Sequence, residues 1–546
     1  MAMPQGVLFA NWVESEGAQH RQAGQFPMME RRVDISQSGK VWMVLAGLAV
    51  ILYVLWQLSN SIAAGSSKTV LLLAAAFAAF FVAGRIAGDW RSGVYFFVVW
   101  LLFEDLIRKY MGNNMYVYFA KDLLAAATYV GLLAERTKLN TPIFRAPFRY
   151  ALGVFVLVGF VQVFNPLSPS IFYGLLGLKL YFYYIPLMFV GYAMLRKEND
   201  LRRFLVLNMV LAAVISMVGI LQAIVGLDFL NPRGMADIDE LGHGVRMTQA
   251  GLSVARPPAV FVSDGRFANY LMVAFILGLG ATGFMLLRSG RGRIIVFPAL
   301  SLVALATVLS GVRGTFVYAM ASAIVLPAGM LWGAPPSVGA GYRLVKAIRR
   351  SFIFVAVAIA LGLILLPDVV GGHLSYYRET LMPDSEYSQT SNRAWTYPME
   401  QLQNALSDPN WALGHGIGTG SLGAQYVSRI LGAPPSQLWA ESGYGVLITE
   451  LGILGPILWL IWSSSLVFAA LKTTLRLRGT WAFPMAFSIL WFAVLLLFAL
   501  TWGGFMTYQN FVVNAYFWLL VGVLFRLPDL VKQDTEKLQV TSAPAR

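Results

Sequence analysis

No cysteine occurs anywhere in the 546 residues. Disulfides, thiolate nucleophiles and cysteine-ligated metals are therefore excluded, and any segment in an oxidising compartment is held by other means. Histidine is nearly as scarce: His20, His243, His373 and His415 show no H-x-x-x-H or carboxylate spacing that would ligate a metal. Charge is thin as well. Only 12% of the residues are Asp, Glu, Lys or Arg, about half the roughly 25% of soluble domains. A chain this poor in charge has too little polar surface to fold as a series of soluble domains. No repeat of fixed period is present either.

What fills the space is apolar: 58% hydrophobic and 14% aromatic residues. A helix needs about 20 mainly apolar residues to cross a bilayer. Fourteen stretches qualify, near 41–58, 69–88, 92–107, 115–134, 148–164, 171–195, 203–226, 267–287, 294–310, 314–332, 351–367, 442–470, 480–500 and 510–526. The fold class expected is an all-α polytopic membrane protein with one membrane domain over 41–527. Residues 1–40 are too long and polar a lead for a cleavable signal, so Val41 opens an uncleaved first span. The tail 528–546 is short, polar and expected to be disordered.

The net charge of +14 raises the question of nucleic acid, and position answers it. With a cytoplasmic N-terminus, most Lys and Arg fall in the inside segments, as in the clusters Arg196, Lys197, Arg202, Arg203 and Arg343, Lys346, Arg349, Arg350. The basicity is topology, both termini are cytoplasmic, and no nucleic-acid partner is implied. Two long segments, 227–266 and 368–440, then lie outside, where long loops usually carry function. In the second, Trp395, Met399, Leu402 and Leu406 recur at helical spacing until Asp408-Pro409, which predicts an amphipathic helix on the outer face.

Candidate chemistry gathers on that side. Arg313, in "LSGVRGTFVY", sits in a very short connection and needs an anionic partner: a lipid headgroup or carboxylate, or a lipid-linked diphosphate gripped by forked hydrogen bonds. Arg256 and Arg266 flank "PPAVFVSDG", and Arg393 opens the amphipathic helix; with Arg313 they are able to form a metal-free cationic site. Lys179 lies inside a span, where an ionisable residue is a functional candidate or a paired structural one. Lys121 and Asp122 are adjacent and need separate partners, whereas Glu104, Asp105, Arg108 and Lys109 have the spacing of two i,i+4 ion pairs. Gly414, His415, Gly416 and Gly418 belong to "GHGIGTGSLG", which follows no βαβ strand; it is either an anion-binding nest or a turn. Glu441 and Glu450, nine residues apart, lie on nearly opposite helix faces. Glu441 at the mouth is able to reach substrate, and Glu450 in the span reads as structural.

At this point "LSGVRGTFVY", "SNRAWTYPMEQLQNALSDPNWALGHGIGTGS" and "WAESGYGVLITELGILGPILWL" resemble, in order and sidedness, the O-antigen polymerase and ligase superfamily of bacterial envelope glycan enzymes. "RPPAVFVSDGRFANYLMVAFIL" and "NPLSPSIFYGLLGLKLYFYYIPL" look like its upstream elements, and the likeness covers about 145–475. The resemblance implies a GT-C-like glycosyltransferase of the inner membrane that uses undecaprenyl-diphosphate-linked oligosaccharide at the outer face. It implies no cofactor or metal, and as partners a flippase and a chain-length regulator. Arg313 and Arg393 match the family's diphosphate-holding arginines best; Arg256, Arg266 and Lys179 match more loosely. Ligases of the family commonly carry His-Asn where this chain has Glu441-Ser442, so polymerisation of an exopolysaccharide or O-antigen, with Glu441 as general base, is the expectation. Ligation to another acceptor and lipid-linked oligosaccharide transport remain as alternatives.

Overall fold

The computed structural model describes residues 81–542 apart from 83, 87, 112–114, 140–143, 233–243, 249–250, 289–291, 336–338, 383–391, 422, 425–426, 429–431, 433, 435, 437, 439–442 and 499–507. The expected spans 41–58 and 69–88 lie outside these residues, except for the end of the second. The described helices are α1 (Trp90–Tyr110), α2 (Met115–Leu139), α3 (Arg149–Val161), α4 (Ile171–Phe182), α5 (Leu187–Met194), α6 (Glu198–Val225), α7 (Asp264–Leu287) and α8 (Arg293–Val308). They continue with α9 (Arg313–Trp332), α10 (Ala340–Leu365), α11 (Pro367–Leu381), α12 (Tyr397–Ser407), α13 (Gly443–Leu451), α14 (Leu454–Arg476), α15 (Phe483–Leu497) and α16 (Phe511–Ser542). Among the described residues 8 helical segments are long and apolar enough to cross a bilayer, and α3, α8 and α15 belong to shorter apolar helices. The protein is a multi-pass, mainly helical membrane protein.

Apolar side chains all round place α7 in the core, where most of its residues are buried. Beside it α5 and α16 pack with their backbones in contact: a Cβ at Gly191 would strike the carbonyl of Leu519, and one at Gly522 that of Met188. Small residues allow this approach, which maximises dispersion contacts where no hydrophobic drive separates helix from lipid. Trp462 stacks between Phe155 and Trp518 at 6.0 and 5.9 Å in the adjoining core.

Ion pairs tie one end of the bundle. Arg91 and Arg196 share Glu135, Arg202 and Arg288 share Glu198, Arg526 pairs with Asp529 at 2.9 Å, and Arg288 also pairs with Asp534. That last contact explains a correction. The expected disordered tail is helical: α16 continues through Pro528 to Ser542, braced by Asp529 on Tyr192 and Asp534 on Arg288, so tertiary contacts override the proline.

Two further expectations change. The stretch 442–470 is two helices, because Gly452 adopts φ +68° between α13 and α14 and lies against the Ala412 carbonyl. The segment 227–266 contains an antiparallel hairpin, β1 (Val245–Met247) with β2 (Ser253–Ala255), in which Arg246 opposes Val254. The amphipathic helix forms as α12, ended at Asp408. Pro398 and Ala405 are buried in it, while Trp395 and Leu406 stay exposed.

Candidate functional site

At the end of the bundle opposite the ion-paired one, β2, the turn before α9 and α11 meet. Gly311, at φ +63°, forms that turn; a Cβ there would lie 2.8 Å from Cγ of Arg256 and 3.0 Å from the Ala255 carbonyl. Arg256 therefore flanks the turn that carries Arg313, although 57 positions separate them in sequence (313 − 256). His373 ties the pieces together, its ring nitrogens 2.7 and 2.9 Å from the Val369 and Ala255 carbonyls. Tyr377 donates to the Val308 carbonyl at 3.0 Å and stacks on Phe316 at 4.3 Å. Its neighbour Tyr376 presents a ring 5.8 Å from the Arg313 guanidinium, within reach of a cation–π attraction. Arg256 pairs with Asp264 at 2.7 Å, with about a fifth of each side chain exposed. Below, an apolar cleft of about 150 Å³ between α7, α8, α9 and α10 runs from Val308 and Phe316 to Pro327 and Ser351.

Arg266 and Lys179 join a second group. The Nη1 of Arg266 reaches both Asp105 oxygens at 3.0 and 2.8 Å, and Arg108 approaches the same carboxylate at 3.3 Å. Glu104 and Lys121, both fully buried, pair at 2.9 Å; Lys179 and Asp122 pair at 2.6 Å. Lys121 and Asp122 thus find separate partners, as their adjacency requires. In place of the i,i+4 pairs expected within α1, Arg108 pairs with Asp105 at i,i+3, and α2 and α7 add shorter links from outside through Lys121 to Glu104 and Arg266 to Asp105. Lys109 donates to the Ala259 carbonyl at 3.3 Å. The Tyr118 ring collects Lys121, Lys179 and Arg108 at 3.3, 4.1 and 5.5 Å, and Phe511 takes Lys121 and Arg266 at 4.4 and 4.8 Å. Four cations (Arg108, Lys121, Lys179, Arg266) face three carboxylates (Glu104, Asp105, Asp122), an excess of one positive charge when all are ionised.

The segment between Arg256 and Arg266 is bolted down. Ala259 sits at φ +51°, unusual for a residue with a side chain, and Gln222 clamps it by accepting its N–H at 2.7 Å and donating to its carbonyl at 3.3 Å. Ala259, Val260 and Phe261 are buried. The two arginines consequently leave a fixed strap instead of a loose loop.

The glycine run has an anion, and it is internal. Glu450, fully buried, accepts from Tyr181 at 2.6 Å, Ser421 at 2.7 Å and the Gly420 amide at 2.9 Å. The His415 and Gly416 amides donate to the Thr449 and Glu450 carbonyls at 2.7 and 3.1 Å. Gly418 lies against α4, where a Cβ on Gly177 would come within 2.7 Å of its nitrogen. Gly414 meets Gly452 in the same way, a Cβ there reaching 2.5 Å from its nitrogen. The nest reading is thereby corrected for Gly414, His415 and Gly416, whose amides already donate within the protein, that of Gly414 to the Asn410 carbonyl at 2.7 Å. Glu450 acts as the peg that docks the run on α4 and α13. His415 pairs with Asp408 at 3.0 Å; burial pushes the Asp408 carboxyl up, but the Asn410 amide and the His415 ring hold it below its ordinary value.

Gln509 donates to Ser421 at 2.8 Å, and Phe511 beside it meets Lys121 and Arg266, so the glycine run and the second cation group adjoin. Tyr173 receives the next segment, donating to the Pro434 carbonyl at 2.6 Å and accepting from the Ser436 amide at 3.1 Å. Arg393 stands on the π-helical turn Asn392–Thr396 before α12. Glu441 lies outside the described residues. Tyr118, Tyr376 and Gln222 escaped the reading of the sequence. Tyr118 alone had a local signal, its i,i+3 spacing to Lys121.

Neither protein-family models nor curated proteins give a match to this chain.

Proposed function

We propose that the protein is a membrane glycosyltransferase that polymerises undecaprenyl-diphosphate-linked repeat units of an exopolysaccharide or O-antigen, with fourteen spans and a GT-C-like arrangement. It works at the periplasmic face of the inner membrane, with both termini in the cytoplasm, on units supplied by a flippase and under a chain-length regulator. The observation that carries this reading is the meeting of Arg256 and Arg313 at one turn, above a cleft open to apolar groups.

In this mechanism Glu441 takes the proton of an acceptor sugar hydroxyl as that oxygen attacks the anomeric carbon of the donor. The bond from that carbon to the diphosphate oxygen breaks with inversion, and its electron pair leaves on undecaprenyl diphosphate. Arg313, Arg256 and Arg393 stabilise the charge that develops there, the task for which forked guanidinium donors suit a diphosphate. Arg266 and Lys179, each held on a carboxylate, brace the adjoining elements. The cleft beneath Phe316 takes the isoprene unit next to the diphosphate, and the rest of the polyprenyl tail runs out into the bilayer.

Arg313→Ala is expected to abolish polymer and leave single lipid-linked units, read as the glycan ladder on a gel. Full-length polymer at normal expression would reject the assignment. Long chains retained on the lipid carrier would favour ligation instead.

A further inference from the structure

A second cavity, of about 550 Å³, opens between α3 and α5 at the ion-paired end, far from the face just described in fold position. Its walls include Leu152, Gly153, Met188 and Phe189, and its rim carries Arg145 and Arg149. A volume of this size suits an extended apolar ligand. Gly153 leaves room on one side: a Cβ built there meets nothing within 4 Å, and the residue is exposed. The cavity therefore opens sideways, toward what surrounds the helices.

The rim supplies the other half. No carboxylate among the described residues pairs with Arg145 or Arg149. Among the described residues Tyr150 steadies the Arg149 guanidinium, with its ring 4.5 Å away and a 3.0 Å hydrogen bond to its hydroxyl. Other arginines at this end are satisfied by acids, among them Arg91, Arg196 and Arg526. Near Arg145 and Arg149, Phe144 stacks on Tyr192 at 4.5 Å, and Tyr192 bonds Asp529, which places the rim level with the charged boundary of the bundle.

We propose that this cavity binds one anionic phospholipid, an acyl chain lying along α3 past Gly153 and the phosphate held by Arg145 and Arg149. Two guanidiniums on the rim of an apolar slot match a headgroup that is negative joined to a chain that is not. A soluble phosphate would gain the charge and leave the apolar walls unfilled. The proposal requires only that the protein spans a membrane and is independent of the glycosyltransferase reading.

The test uses the full chain purified in mild detergent, with native mass spectrometry after titration with phosphatidylglycerol or phosphatidylcholine. One phosphatidylglycerol is expected to bind selectively. Arg145→Ala with Arg149→Ala should weaken it about 25-fold, the product of two roughly fivefold losses. Gly153→Trp should block the chain while sparing the rim, and inorganic phosphate should not compete. Equal retention of both lipids, unchanged selectivity in the double variant, or displacement by inorganic phosphate would each overturn the proposal. If the arginine variants do not fold, thermal unfolding of the unaltered protein decides: nanodiscs with added phosphatidylglycerol should raise Tm over phosphatidylcholine alone, and no difference refutes the site.

Discussion

Asp105 shows what a single carboxylate contributes when it is almost fully buried. Arg266, Arg108 and the Val262 amide all converge on it, so three elements depend on one charge. Removing one partner of a buried pair strands the other, at a cost of about 3–5 kcal/mol. Arg108 and Val262 remain, so Arg266→Ala is expected at the low end, about 3 kcal/mol. Asp105→Asn in the same chain should restore part of it. Unfolding followed by fluorescence-detected size exclusion measures both, and a double variant no more stable than Arg266→Ala would contradict the pairing. The residue types of this cluster were visible in the sequence; the partners were not. Asp105 and Arg266 stand 161 positions apart, and local spacing favours whatever lies one helical turn away.

At the level of elements, breaks matter as much as spans. An apolar window identifies a helix by composition, and expected spans from 92–107 onward fall on helices for that reason. The break at Gly452 left no comparable mark, because glycine is frequent in membrane helices and its left-handed conformation here is selected by the Ala412 carbonyl pressed against it. Gly452→Ala should force α13 from its seat on the 412–416 segment, lowering stability by more than the roughly 1 kcal/mol of an ordinary glycine change. Limited proteolysis around residues 408–421 reads the effect. Unchanged protection would mean that the close approach is dispensable. Glu450 follows the same logic: its structural role was readable from its depth in an apolar run, whereas the Gly420 amide and Ser421 as its partners required the fold.

For the whole molecule, sidedness is the decisive property. The bundle has one end bound by Glu135, Glu198 and Asp529 and another that gathers Arg256, Arg266, Arg313 and Lys179. The absence of cysteine makes this directly measurable, since any introduced thiol is unique. Trp395→Cys and Lys532→Cys, at two exposed positions, should react with an impermeant maleimide from opposite sides: the first in intact cells, the second only after lysis. Labelling of both in intact cells would break the topology. The alternation of basic loops predicts which segments share a side. It carried no information on the distance between Arg256 and Arg313, which depends on Gly311, His373 and a two-strand hairpin.

The unbroken course of α16 has a practical consequence. From Phe511 to Asp534 it spans about 35 Å at the helical rise, with its far part clamped to Arg288 and Tyr192. A rigid soluble domain spliced onto this helix in register would move with the helical bundle as one particle, giving an image-alignment handle outside the bilayer.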